Sequence, residues 1–306
     1  MTLFSFLTLG YLTALTFLLR FAGFISSYLI PSKLPRYLHP GSWAIVTGST
    51  SGLGLALATA LCSRGFNVLL HGRDPEKLQR VFPDRECEIL LLDAASCFSP
   101  ESYESSQTKI HDAVTGKNVS LLINNVGIGH SIPLGNFRPL ESHTPASINV
   151  LLNANITFMT HLTYLLLPTF SSATPSLILN IGSVAELAMP YLTVYSATKS
   201  YMSTFSKALD AEMRAEGKGV RVECMVLGDV DTPVHPMERS LSVLSAEEAA
   251  GWVLERAGGI GMWGGENIGA PYWFHGVLWW ACRAQPWWAL RAGITANLRE
   301  KVRKDK

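Results

Sequence analysis

Six short, mostly apolar runs recur at residues 44–46, 67–70, 89–92, 121–123, 177–181 and 220–226, and helical stretches such as 53–64 and 147–167 separate most of them. A strand that is apolar on both faces must be covered on both faces, and strands alternating with helices are joined by crossovers rather than hairpins. The pattern predicts an α/β fold: a doubly wound parallel sheet with helices on each side. The polar stretch 94–118 is expected to hold one helix, near 106–114. No internal repeat or low-complexity tract is visible, and 306 residues in this rhythm fit one domain.

Ahead of the first run lies a segment of another kind. Residues 1–19 carry no charge, Arg20 interrupts, and 21–32 are again uncharged. About 20 apolar residues cross a bilayer, and an arginine near one end can snorkel to the headgroups. A cleaved leader would show a basic start and a small-residue cleavage site, whereas the first 19 residues hold no Lys or Arg. A buried core helix is the plainer alternative, but this segment precedes the first strand and has no polar face. The reading adopted is a membrane anchor over 1–30. Arg20, Lys33 and Arg36 then leave the following domain cytosolic, and Pro31, Pro35 and Pro40 mark a stiff linker over 31–42. Hydrophobic residues at 48%, charged residues at 16% and a mean hydropathy of +0.20 agree with membrane contact.

Other classes are excluded by what is missing. A net charge of +1 offers no nucleic-acid footprint. Five cysteines, Cys62, Cys87, Cys97, Cys224 and Cys282, show no CxxC spacing, which argues against a disulfide framework or zinc site and fits a reducing compartment. Eight scattered histidines form no HExxH pair, so no metal is expected.

The first apolar run leads into Thr47-Gly48-Ser49-Thr50-Ser51-Gly52-Leu53-Gly54, with a helix expected from about Leu53. Glycines here permit a tight turn and close backbone approach to a pyrophosphate, whose charge the helix N-terminus stabilises. Any strand–helix turn uses a glycine or two; three at this junction point to a Rossmann-type dinucleotide cradle. After the second run stands His71-Gly72-Arg73-Asp74. An acidic residue at this place bonds a ribose 2′-hydroxyl, while an arginine accommodates the 2′-phosphate of NADP. Arg73 is the nearer, so NADP(H) is the expected cofactor; the plainer alternative is a solvated loop charge. Asp93 closes the third run, where a carboxylate can meet the adenine edge. Asn124-Asn125-Val126-Gly127 closes the fourth, and Asn125 with its neighbours would line the cleft floor. Alone, either is ordinary turn chemistry.

Tyr195-Ser196-Ala197-Thr198-Lys199 follows the fifth run, which ends near Ser183. On a helix, Tyr195 and Lys199 share one face, one turn apart. A fixed ammonium beside a phenol favours the phenolate. Such a tyrosine can give a proton to a carbonyl oxygen, or take it back from an alcohol, near neutral pH. Ser183 can hydrogen-bond the same oxygen. Tyr-x-x-x-Lys arises by chance in many helices; its place after the fifth strand, downstream of the glycine turn, gives it weight.

In this order and spacing, the glycine turn, Asn-Asn-Val-Gly, Ser183 and Tyr195/Lys199 resemble the short-chain dehydrogenase/reductase family, over roughly residues 43–257. The resemblance implies that Ser183, Tyr195 and Lys199 are catalytic and that Lys199 also bonds the nicotinamide ribose. It implies that Asn155 is a fourth catalytic residue, holding a water in a proton relay through Lys199. Where the family usually has Pro-Gly after the sixth strand, this chain has Leu227-Gly228-Asp229-Val230-Asp231-Thr232; Val230 and Thr232 still match the carboxamide-binding positions. The family commonly pairs through the helices carrying Asn155 and Tyr195, which implies a homodimer. Asn-Asn-Val-Gly, Tyr-Ser-Ala-Thr-Lys and the N-terminal segment are similar to the microsomal branch of 3-oxoacyl-CoA reductases and 17β-hydroxysteroid dehydrogenases, although the interval from Ser183 to Tyr195 is one residue shorter than expected there.

Ser245-Ala246-Glu247-Glu248 has the form of a capping box for a helix to about Arg256. The reductase domain is placed at 43–262. In the remainder, 263–306, Trp263, Trp273, Trp279, Trp280, Trp287 and Trp288 crowd beside Arg283 and Arg291. Such a segment suits a membrane interface or the wall of a lipophilic pocket, and both stay open. The tail Arg303-Lys304-Asp305-Lys306 is similar to a dibasic endoplasmic-reticulum retrieval signal. Asn118 and Asn155 open glycosylation sequons that a cytosolic domain leaves unmodified. The expected activity is hydride transfer between NADP(H) and a ketone or secondary alcohol on a lipophilic substrate, such as a 3-oxoacyl chain or steroid-like ketone, at the endoplasmic-reticulum membrane. The alternatives are a ketoreductase of polyketide or terpenoid biosynthesis and, outside enzymes, a cofactor-binding membrane scaffold.

Overall fold

The computed structural model describes residues 3–29, 31–81, 88–129, 137–171, 175–261 and 266–304; Cys87, Trp263, Asp305 and Lys306 lie outside them. The elements follow in chain order: α1 (Leu3–Leu29), β1 (Ser42–Val46), α2 (Gly52–Ser63), β2 (Asn67–Gly72), α3 (Pro75–Val81), β3 (Glu88–Leu91), α4 (Tyr103–Val114) and β4 (Asn118–Asn124). Then come α5 (Pro145–Leu152), a π-helical turn at Asn153–Thr157, α6 (Phe158–Ser171), β5 (Ser176–Ser183), α7 (Thr193–Ala215) and β6 (Val220–Leu227). The last elements are β7 (Asp229–Asp231), β8 (Val243–Ser245), α8 (Ala246–Arg256), β9 (Ile268–Gly269), α9 (Trp273–Ala284) and α10 (Trp287–Lys304).

The main sheet has the order β3-β2-β1-β4-β5-β6-β9 and every pairing in it is parallel. The strand order reverses between β1 and β4, so a crevice opens beyond their C-terminal ends. Side chains alternate between faces along each strand. Ala44 and Val46 join α2 and α8 through Leu57, Leu61, Val253 and Leu254 on one face. Ile45 and Leu122 join α4, α6 and α7 through Ile110, Phe158, Leu162, Phe170 and Met213 on the other. All six expected strands form, most with one to three residues more than the apolar runs, because the ladder continues into flanking polar residues such as Ser42, Asn118 and Asn124. The short β9 is additional.

Two expectations are corrected. The stretch 31–42 is not a free-standing linker: Pro35 opens a 3-10 turn, Leu34–Tyr37, whose Leu34 and Tyr37 are buried. Ser32 Oγ donates to the Leu254 carbonyl at 2.7 Å, Lys33 N to that of Ala257 at 3.0 Å, and Ser120 Oγ to that of Tyr37 at 2.6 Å. Its apolar side chains and backbone groups find partners under the sheet, so it docks there. The expected helix 147–167 starts earlier, at Pro145, capped by Thr144 and Ser147 reciprocally, and a π turn interrupts it. The capping box at Ser245 and Glu248 forms as expected.

Helix α1 runs for 27 residues, with Tyr11, Leu12, Leu15, Leu18, Leu19 and Leu29 exposed. Its C-terminal half meets α9 and the residue after β9: Trp280 packs on Phe17 and Phe21 at ring-centroid distances of 5.3 and 6.3 Å, and Tyr28 Oη donates to the Ala270 carbonyl at 2.8 Å.

Leu122, fully buried in the central strand β4, tests the core. Leu122→Ala is expected to cost about 2–5 kcal/mol through lost burial and a residual cavity. Urea unfolding should show a lower midpoint with an unchanged slope.

Candidate active site

The crevice is built first by backbone ties at the strand ends. Thr47, just past β1, accepts at Oγ1 from the backbone N–H groups of Asn125 and Val126 at 2.8 and 3.0 Å. Asn125 Nδ2 returns a bond to the Thr47 carbonyl at 2.9 Å. β1 and β4 are thus clamped at the point where the strand order reverses.

From Thr47 the chain turns through Gly48 and Gly52, whose φ values of +67° and +55° favour glycine. Gly54 is required for closeness: a Cβ there would run into the Gly48 carbonyl and lie 2.6 Å from Asn125 Nδ2. α2 starts at Gly52 with no side-chain cap from Ser51. Its first N–H groups, with the positive end of the helix dipole, therefore suit an anion. Ser49, Thr50 and Leu53 complete the turn. A Cβ on Gly52 would meet Thr232 Cγ2 at 3.1 Å, which puts Thr232, and Val230 in β7, beside the turn.

One residue absent from the expected site organises this turn. His71, at the end of β2, accepts at Nδ1 from Gly48 N–H at 3.1 Å. Its backbone carbonyl accepts from Ser49 N–H at 3.0 Å, and its N–H donates to Ser49 Oγ at 3.0 Å. The ring stacks on Phe158 at 4.8 Å. Burial pushes its pKa down to about 4, against weaker opposing effects of the Leu92 backbone and Asp93. A lone polar residue ending an apolar strand was the available sequence signal.

Past His71, Arg73 is exposed at the end of β2. Asp74 is turned instead to α3: its carboxylate accepts from Lys77 N–H at 3.1 Å, which with other contacts holds it below the usual carboxylate range. Asp93, exposed after β3, accepts from Ala95 N–H at 3.1 Å.

Tyr195, Lys199, Asn155 and Ser183 lie across the crevice. α7 carries Tyr195 and Lys199 on one face, as the spacing predicts. Lys199 is 4% exposed, its Nζ donating to the Ile181 carbonyl at 2.8 Å and lying 5.6 Å from the Tyr195 ring centroid. A Cβ on Gly127 would stand 3.3 Å from that ammonium, and one on Gly129 would stand 3.1 Å from the Tyr195 ring. Asn155 sits in the π turn, fully buried. Its Oδ1 accepts from Ile128 N–H at 2.7 Å, and its Nδ2 donates to the Ile128 carbonyl at 2.9 Å and to Thr198 Oγ1 at 3.1 Å. π turns interrupt helices at functional sites more often than elsewhere. Ser183, ending β5, accepts at Oγ from Ala185 N–H at 3.2 Å. The connection on to Tyr195 contains two non-glycine residues in the left-handed region, Ala188 and Tyr191, at φ +61° and +63°.

Ser183 and Tyr195 open into a cleft of about 530 Å³. Its other walls are mostly apolar, including Phe137, Leu192, Val234 and Met237, with Ile294 and Leu298 contributed by α10. The structure therefore gathers Gly48–Gly54, Asn125, Asn155, Ser183, Tyr195, Lys199, Val230 and Thr232 at one sheet edge, with Arg73 and Asp93 at its outer end. Thr47, His71, Thr198 and Gly129 are the residues that sequence reasoning missed. Among the described residues no cluster of His, Cys, Asp or Glu is arranged to hold a metal.

The model of the family described as short chain dehydrogenase matches residues 42–240. The chain belongs to the short-chain dehydrogenase family. Within it, this short-chain dehydrogenase falls in the 3-oxoacyl-CoA reductase branch. The very-long-chain 3-oxoacyl-CoA reductase of Podospora anserina is 31% identical to it over 290 residues, covering 90% of this chain and 82% of that one. The protein of the same name from Coprinopsis cinerea is 31% identical over 262 residues, covering 83% and 76%. Among solved structures, a 7β-hydroxysteroid dehydrogenase superposes with a TM-score of 0.67 at 18% identity, over 83% of this chain and 96% of that one. A short-chain dehydrogenase from Sphingobium yanoikuyae in complex with NADPH gives 0.61 at 22%, over 87% and 96%. At such identities the likeness speaks for the fold.

His71 yields a signed pH dependence. Its folded-state pKa is depressed from 6.5 to about 4, so its contribution to stability is fully present above about 6.5 and is lost as pH falls through 4. His71→Asn keeps an acceptor near the Nδ1 position and removes the titration. Urea midpoints measured across this window should fall less steeply for the variant than for the parent.

Proposed function

We propose that this short-chain dehydrogenase reduces a ketone on a lipophilic substrate with NADPH, a 3-oxoacyl chain being the substrate class favoured. One observation carries the reading: Tyr195 and Ser183 face an apolar cleft while the Lys199 ammonium is buried against the tyrosine ring. The names of the relatives from Podospora anserina and Coprinopsis cinerea agree with it.

A dinucleotide fits the crevice because the start of α2 packs directly on the glycine turn, with no side chain between them. Gly54 has no room for one, and α2 presents uncapped N–H groups to a pyrophosphate. Arg73 would hold a ribose 2′-phosphate, since Asp74 is engaged in capping α3 and does not compete for a 2′-hydroxyl. Asp93 would meet the adenine, Lys199 the nicotinamide ribose, and Val230 and Thr232 the carboxamide. Bound nicotinamide supplies the hydride.

The chain's own residues then manage the oxygen. The Tyr195 hydroxyl donates its proton to the ketone oxygen as that oxygen becomes an alkoxide, and Ser183 Oγ–H donates a hydrogen bond to the same atom. Lys199 stabilises the phenolate left behind. Asn155 fixes the Gly127–Ile128 backbone that closes the cleft floor, which keeps Lys199 covered. The apolar walls exclude water and accept an alkyl chain.

The reading extends to location: α1 anchors the enzyme in the endoplasmic-reticulum membrane with the catalytic domain cytosolic, supported by its length and by the run of uncharged residues that Arg20 alone interrupts.

Tyr195→Phe should lower kcat for NADPH-dependent reduction of apolar ketones by roughly 10²–10⁴-fold, the usual worth of a positioned acid. NADPH affinity, read by cofactor fluorescence, should hold. A variant as active as the parent removes the mechanism. Arg73→Ala should weaken NADPH by about ten- to a hundredfold, as expected for one charge-assisted contact, and leave NADH nearly unchanged.

A further inference from the structure

Helix α9 touches both the N-terminal helix and the catalytic loop. Its Trp280 packs on Phe17 and Phe21 of α1, while the neighbouring Trp279 donates from Nε1 to Glu186 Oε1 at 2.7 Å. Glu186 lies three residues past Ser183 and also accepts from Ser203 Oγ, so α9 is fixed to the turn that follows that serine. Phe17 precedes the end of α1 by twelve residues, about 18 Å along the axis at the usual rise. With Arg20 at the headgroups, Phe17 lies three residues, about 4.5 Å along the axis, inside the apolar part of α1, and Trp280 lies beside it. Whatever holds Phe17 stands there with it.

The surface of α9 and α10 fits that position. Trp273, Val277, Leu278 and Trp288 are 44%, 41%, 45% and 72% exposed, an apolar surface on the two helices, of which α9 also holds α1 through Trp280. Residues 287–306 carry six basic and two acidic side chains, a charge complementary to anionic lipid. α10 also gives Gly293, Ile294 and Leu298 to the wall of the cleft.

We propose that α9 and α10 form a lipid-facing surface that seats the cleft on the bilayer holding α1, so that an apolar substrate reaches Tyr195 from the α10 side without crossing water. The proposal rests on the reading of α1 as membrane-embedded. It makes the Trp-rich segment interface and pocket wall at once.

The chain supplies its own probe, because α1 contains no tryptophan, whereas six of the eight fall at 263–288. Acyl-chain bromines therefore quench α9 and the segments beside it without a contribution from α1. The full chain is reconstituted in phosphatidylcholine–phosphatidylserine vesicles with ordinary or brominated acyl chains, and its tryptophan emission is compared. The expected result is loss of the larger part of the emission in brominated vesicles, with much of that loss abolished in the Trp273→Phe/Trp288→Phe variant. Equal emission in both vesicles, with the protein sedimenting with them, overturns the proposal and leaves the α1 anchor standing; the surface then faces water or a second copy of the chain. Failure to sediment at all removes both. Neither outcome bears on ketone reduction, which is assayed separately in detergent.

Discussion

A lysine ammonium almost out of contact with water is tolerated only where electron-rich groups replace its hydration. Lys199 has two: the Ile181 carbonyl at 2.8 Å and the face of Tyr195. For both to converge, β5 must carry Ile181 close to the C-terminal edge of the sheet, and α7 must lay the turn from Tyr195 to Lys199 across it. The floor must also leave room, which Gly127 provides and Asn155 secures by gripping Ile128 at both its N–H and its carbonyl. Moving any of these elements strands a charge in a dry place, so the Tyr195–Lys199 pair and the sheet edge are mutually dependent.

The other half of the crevice depends on geometry more than charge. Thr47 and Asn125 tie β1 to β4, and His71 ties β2 to the glycine turn. The backbone of the glycine turn is thus held from both neighbouring strands. A neutral imidazole serves this purpose because its unprotonated nitrogen accepts from Gly48 without placing a positive charge in the core. The shape of the turn is set by the protein's own hydrogen bonds.

What was legible in the sequence was what the sheet imposes. Strands apolar on both faces and glycines between strand and helix have few other uses, so the six strands, the turn and the pairing of Tyr195 with Lys199 could be read directly. β9 could not, since two residues, Ile268 and Gly269, carry no period. The prolines at 31, 35 and 40 read as a linker because proline marks irregular backbone wherever it is; the docking of Leu34 and Tyr37 depends on partners far along the chain. The π turn at Asn153–Thr157 has no residue signature, and with it went the true partners of Asn155. The tryptophans were visible as a group. Their division, Trp279 to Glu186, Trp280 to α1 and Trp288 outward, is a matter of helix phase against distant neighbours.

The stretch Pro145–Phe170 has the length and apolar character to be counted as a bilayer crossing on hydropathy alone. In the fold it lies against the sheet, with Phe158, Leu162, Leu166 and Phe170 buried there. A topology drawn by counting apolar stretches would assign this chain a crossing there and put β5 across a membrane from β4. Those two strands pair residue for residue from Leu121 with Leu177 to Asn124 with Asn180. One hydrogen-bonded ladder thus rules out a crossing at α6.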